Sequence, residues 1–210
     1  MAGPSNAAAL RLIERWPDWP TPVVLLTGPV GSGKTHLAHI WAAQAKAEIV
    51  PAVALAVEGI PRIAPGTALA VEDISANTVP EAALFHLING IRELGGSLLL
   101  TSRDQADEWR VSLPDLRSRL RFAAPVALGA PEDELLRQVL VKLFADRQLV
   151  VDKPLIDYLI SRMERSFSAA VGLVETLDGE ALAAGRPITR AMAADILAGS
   201  GSSEEFADRQ

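Results

Sequence analysis

Residues 28 to 35 read Gly28-Pro29-Val30-Gly31-Ser32-Gly33-Lys34-Thr35, a complete Gly-x-x-x-x-Gly-Lys-Thr pattern. Glycines at this spacing let successive backbone N–H groups converge on phosphate oxygens. The lysine reaches β- and γ-phosphates, and the threonine hydroxyl holds magnesium. The expected contacts to ADP or ATP are therefore Gly28, Val30, Gly31, Ser32, Gly33, Lys34, Thr35 and the adjoining His36, with Thr35 also on Mg2+. A helix beginning at Thr35 would add the favourable potential of its N-terminus for an anion.

A second constellation is Leu69-Ala70-Val71-Glu72-Asp73, an apolar run that delivers two acids. Phosphoryl transfer needs one carboxylate in the magnesium shell and another to polarise the attacking water. Glu72 is assigned to the metal and Asp73 to the water. A further apolar run ends in Thr101-Ser102. There a hydroxyl either orients the water and senses the γ-phosphate or satisfies strand-end backbone, and the residues alone do not choose. Arg119 and Arg165, each taken alone, read as solvated surface arginines. His36, His39 and His86 have no metal-ligand spacing, and no nucleophile triad emerges. The four tryptophans, Trp16, Trp19, Trp41 and Trp109, read as core or edge packing.

These groups need a scaffold. Val23–Thr27 is a β-branched-rich apolar run suited to a buried strand, and Leu37, Ile40 and Trp41 continue after the loop with helical spacing. Further strands are expected at 68–71, 97–100 and 126–128, with another within 49–57. A helix is expected over 81–94, with Leu84, Leu87, Ile88 and Ile91 on one face. Asn6 before Leu10, Ile13 and Trp16 reads as the cap of a short first helix. Alternating strands and helices predict an α/β fold, a parallel five-stranded sheet covered on both sides, over 1–130. From Pro131 the pattern becomes helical. The stripes are Leu135, Leu136, Val139, Leu140, Leu143 and Phe144, then Leu155, Ile156, Leu159, Ile160 and Met163, then Val171, Val174 and Leu177. They predict a small all-helical domain over 131–198, and the Ser-, Gly- and acid-rich tail of 199–210 is expected to be disordered.

The chain has 210 residues, 49% hydrophobic and 22% charged, which places it among globular proteins. It has no cysteine, which excludes a disulfide scaffold, a thiolate metal site and a cysteine nucleophile. The N-terminus lacks export features and no run is long enough to span a membrane, so a cytoplasmic protein without membrane contact is expected. A net charge of -6 disfavours a polyanionic partner, so any DNA contact is expected to be weak or indirect.

The order of phosphate loop, Val71-Glu72-Asp73, strand-end Thr101-Ser102, Arg119 and Arg165 before a helical end resembles the AAA+ ATPases, and more narrowly the DnaA clade. Gly3-x-Ser5-Asn6-x-x-Ala9 is similar to the initiator segment beside the adenine, which implies nucleotide contacts from Ser5 and Asn6. Leu116-Arg117-Ser118-Arg119-Leu120 is similar to the arginine-finger segment, and Arg165-Ser166-Phe167 to the sensor 2 element of the lid. Leu113-Pro114-Asp115-Leu116 leading into Ser118-Arg119-Leu120, with no helix-turn-helix domain after the lid, resembles the Hda family of short DnaA paralogues. That resemblance implies a regulator of replication initiation with weak ATPase activity of its own. It would stimulate hydrolysis of DnaA-bound ATP by donating Arg119 in trans, while Arg165 contacts its own nucleotide, with ADP the resident form. It also implies the DNA sliding clamp as partner, although the Gln-Leu-x-Leu-Pro-like docking peptide expected before Gly3 is missing. Self-association stays open.

The chain departs from the clade in three places. Asp115 stands where initiators often carry arginine, Glu72 replaces the usual metal-binding Asp, and Arg103 replaces an acid. Two other readings remain: a DnaA-related adaptor or loader that binds DNA or recruits replication proteins with ATP as an assembly switch, and an autonomous hydrolase or kinase.

Overall fold

The computed structural model describes residues 1–57, 59–75 and 81–204. It divides into two compact units, Pro4–Gly129 and the part from Ala130 onward together with Met1–Gly3.

The first unit carries β1 (Val23–Thr27), β2 (Glu48–Pro51), β3 (Ala68–Ile74), β4 (Ser97–Ser102) and β5 (Ala124–Ala127), all parallel, in the order β2-β3-β4-β1-β5. Its helices are α1 (Ala7–Glu14), α2 (Lys34–Ala45), α3 (Ala52–Val57), α4 (Glu81–Glu93) and α5 (Pro114–Arg121). Side chains alternate across a strand, so a strand covered on both faces must be apolar throughout. In β1, Val23 and Leu25 enter one core with Leu69, Val71, Leu98 and Leu100, which α4 and α5 also feed. Val24 and Leu26 enter the other with Ala70, Leu99, Ala38, Trp41 and Ile13 from α2 and α1. The helix after β1 leads to β2 and lies on one face, whereas the helices that lead back across the sheet lie on the other, as right-handed crossovers demand. Trp41 is fully buried, stacked on Trp19 at 5.0 Å and edge-on to Trp16 at 6.4 Å.

The helical unit comprises α6 (Asp133–Asp146), α7 (Lys153–Ile160), α8 (Phe167–Ala184) and α9 (Arg190–Glu204) around Leu136, Leu140, Phe144, Leu159, Val174 and Leu177. Asp152 caps α7 by accepting from the Leu155 N–H at 2.9 Å, and Ser166 caps α8 by accepting from Ala169 at 3.0 Å. Among the described residues no helix is long and apolar enough to cross a membrane.

Several sequence expectations need correction. Asn6 occupies the N-cap position of α1, but its side chain makes no capping bond and is buried. The 49–57 stretch is strand only to Pro51 and then turns into α3, and β5 begins at Ala124 rather than Val126. Val171 is exposed, because the buried face of α8 runs through Ala170, Leu173, Val174, Leu177 and Ala181. Met1–Gly3 group with the helical unit, where a Cβ on Gly3 would lie 2.8 Å from Glu132 Oε2. The α9 backbone continues to Glu204, and 205–210 lie outside the described residues.

Candidate nucleotide-binding site

In a parallel sheet all strands end at one edge, and ligands of α/β folds sit outside that edge. Here β4 lies between β1 and β3, with Thr27 opposite Ser102, so the stem of the phosphate loop and the strand-end hydroxyls are direct neighbours. Between β3 and β4 the register shifts. Val71 faces Leu100 and Ile74 faces Ser102, so Glu72 and Asp73 together stand against Thr101 alone. This bulge re-aims the side chains, as bulges beside functional sites do. Asp73 adopts φ +57°, a backbone conformation that costs a non-glycine residue about 1 kcal/mol or more. Its N–H donates to Thr101 Oγ1 at 3.0 Å. Asp73 is exposed and Glu72 half-buried. Glu72 Oε1 is buried and finds no hydrogen-bond partner among the described residues.

The loop follows β1 directly. A Cβ on Gly28 would lie 2.5 Å from the Leu128 carbonyl oxygen and 2.9 Å from Ser32 Oγ, so only glycine fits. Gly31 and Gly33 take φ +72° and +95°. Gly33 stands at the N-cap of α2 and has no side chain to cap it, which leaves the first-turn N–H groups for an anion. Ser32 is buried, and its Oγ lacks a partner among the described residues. Lys34 Nζ donates to the carbonyls of Gly28 at 2.7 Å and Pro29 at 2.8 Å. Burial pushes the Lys34 amine below its ordinary range. The Asp73 carboxylate opposes that shift, Arg103 adds to it, and Glu72 opposes it more weakly. Thr35 and His36 are exposed at the start of α2.

These residues fit a polyphosphate with a divalent cation. Two buried polar atoms await partners, the glycine cradle leaves room only for backbone, and Thr35 with Glu72 offers hard oxygen donors. Among the described residues no group of three or more His, Asp or Glu is placed to hold a metal by itself.

Both strand-end hydroxyls are engaged in holding structure. Thr101 Oγ1 accepts from Asp73, and Ser102 Oγ accepts from the Asp104 N–H at 3.1 Å and from Trp109 Nε1 at 3.2 Å. Gln105 Nε2 donates to Thr27 Oγ1 at 2.9 Å, which ties the segment after β4 to the residue before the loop. Gln105 and Thr27 lie 78 positions apart, and nothing in their spacing shows that β4 adjoins β1.

The other named residues fall in three places. The Gly129 N–H donates to the Ser5 carbonyl at 3.0 Å, and Leu128, next along, is the residue that Gly28 abuts, so Ser5 and Asn6 flank the loop. Glu81 at the start of α4 accepts from the backbone N–H groups of Ser112 at 2.7 Å and Leu113 at 2.6 Å. These bonds hold the Glu81 carboxyl below its usual range, and α4 and α5 therefore run side by side away from the carboxyl edge. Arg119 lies far along α5, where it lines a cleft with Asn89, Arg92 and Glu93 at the end of α4, toward the amino edge and away from its own phosphate loop. Arg165, in the helical unit, is exposed and pairs with Asp133 at 3.0 Å.

A parallel sheet of this order, a phosphate loop after its first strand and acids on β3 define the fold of the AAA+ P-loop ATPases. Domain III of the Thermotoga maritima replication initiation protein DnaA superposes with a TM-score of 0.74 at 17% identity, covering 91% of this chain and 90% of that one. A Thermotoga maritima RuvB variant superposes at 0.71 and 18% identity, covering 91% of this chain and 66% of its own. AMPPCP-bound DnaA from Aquifex aeolicus superposes at 0.65 and 17% identity, with coverages of 83% and 62%. A protein of Haemophilus influenzae described as uncharacterized is 28% identical over 194 residues, 86% of this chain and 83% of its own. No family model matches the chain.

Proposed function

We propose that this chain is a nucleotide-binding regulator of chromosome replication initiation of the Hda type. In this reading it binds ADP or ATP with Mg2+ in its own phosphate loop and stimulates hydrolysis of ATP bound to DnaA, in concert with the sliding clamp. The fold likeness to DnaA, one form of which is described as AMPPCP-bound, supports the nucleotide and the replication setting. The observation that carries the regulatory half is the position of Arg119, beside the end of α4 and remote from its own loop, in an open cleft.

On binding, Lys34 exchanges the Gly28 and Pro29 carbonyls for phosphate oxygens, and the N–H groups at the start of α2 close on the same anion. Thr35 and Glu72 would hold magnesium, which would supply charge neutralisation at the phosphates. Asp73 is the acid left to polarise a water, and Thr101 holds its backbone. Toward the partner, the Arg119 guanidinium neutralises charge that develops on the transferred phosphoryl group, an effect worth roughly a thousandfold or more in rate.

The test is loss of labelled ATP preloaded on DnaA in the presence of DNA-loaded clamp. Acceleration by this chain that disappears in Arg119→Ala is expected. Equal loss with and without the chain overturns the proposal, and steeply salt-dependent DNA binding by the chain in that case favours the adaptor reading.

A further inference from the structure

The cleft that holds Arg119 is itself informative. It measures about 280 Å3 and is lined by Asn89, Arg92, Glu93 and Arg119, all polar or charged. Neither arginine is in an ion pair with a carboxylate among the described residues, and Glu93 on the same rim pairs with neither. Two guanidiniums at one small cleft repel each other until an anion lies between them, and their planar forks suit phosphate oxygens. Asn89 adds a neutral amide donor. Phe122, directly after α5, donates its N–H to the Arg119 carbonyl at 3.1 Å and is 65% exposed. Phe122 does not line the cleft, but an exposed aromatic at the end of the helix that carries Arg119 is a side chain of the kind protein contacts use.

We propose that Arg92 is a second phosphate-contacting guanidinium, acting beside Arg119 on the terminal phosphate of a nucleoside triphosphate held by the partner subunit, with Phe122 anchoring the same interface. This rests on the trans reading of Arg119. A nucleotide in a protein partner is favoured over a nucleic acid backbone for two reasons. The cleft is small and has an acid on its rim, and the chain carries a net charge of -6 that repels an extended polyanion.

The experiment titrates this chain against DnaA preloaded with labelled ATP and reads maximal stimulation and half-saturating concentration separately. Arg92→Ala is expected to lower maximal stimulation about tenfold or more, the worth of a lost charge-assisted hydrogen bond, without moving half-saturation. Arg92→Lys should recover part of it, and Phe122→Ala should raise the half-saturating concentration. Wild-type maximal stimulation in Arg92→Ala, or a change in half-saturation alone, overturns this inference while the function stands. Full stimulation by Arg119→Ala overturns the function and this inference with it.

Discussion

The backbone N–H of Asp73 donates to the hydroxyl of Thr101 across a β-bulge, at 3.0 Å, and this bond fixes the one acidic residue of the site whose φ is positive. Thr101→Val removes the acceptor, keeps the shape, and should cost about 1 kcal/mol of stability. Thr101→Ser retains the oxygen and should cost less. Denaturant unfolding of both variants, with nucleotide turnover measured in parallel, checks that Thr101 acts through Asp73. Equal stability and turnover in the Val and Ser variants would remove that role.

Lys34→Ala should abolish binding of ADP and ATP while leaving the fold intact, since the two carbonyls that the amine holds belong to half-buried Gly28 and exposed Pro29, where water replaces it. Thermal unfolding provides the readout. Ligand at a hundred times its Kd stabilises a binding protein by about 2.7 kcal/mol, and the variant should show no such rise.

Gly28→Ala should damage both properties. Its methyl group would meet the Leu128 carbonyl at 2.5 Å, a backbone atom that cannot swing aside. A cost of about 1–3 kcal/mol from overpacking is expected, together with weakened nucleotide binding. Calorimetric titration with ADP and an unfolding curve separate the two effects.

Glu81 ties α4 to the segment before α5 through two backbone N–H groups, which depress its pKa below the ordinary 4.5. A depressed carboxylate contributes stability that is present above the unfolded-state value and is lost as pH falls through the lower folded value. Glu81→Gln should therefore be less stable than wild type at neutral pH, and the difference should shrink as pH falls below about 4. Melting temperatures from pH 3 to 7 provide the check, and a gap that is constant with pH would exclude this origin.

The phosphate loop was legible because its glycines, lysine and threonine carry the chemistry in adjacent positions, and the strands were legible because two-sided burial leaves them uniformly apolar. The helical unit showed through its Leu and Ile stripes. Its last helix did not, since the face that α9 packs, Met192, Ala193, Ile196 and Leu197, covers little more than its first two turns and gives way to Gly and Ser. The bulge at Glu72 and Asp73 depends on what β4 presents opposite them, and pairing register is a property of two strands rather than one. The capping bond expected of Asn6 is not made, although the residue is buried at the N-cap position. Likewise the remoteness of Arg119 from its own loop follows from the sheet order and the parallel course of α4 and α5, neither of which local spacing reveals.

The two edges of the sheet are chemically unlike: acids and the phosphate loop at the carboxyl edge, paired arginines at the amino edge. An association that joins one kind of edge to the other is directional, since each surface meets a different surface and every added subunit leaves one of each exposed. If the proposed function holds, this polarity would let a single copy face one neighbour with its arginines while its own loop holds a separate nucleotide, so the two occupancies would not compete.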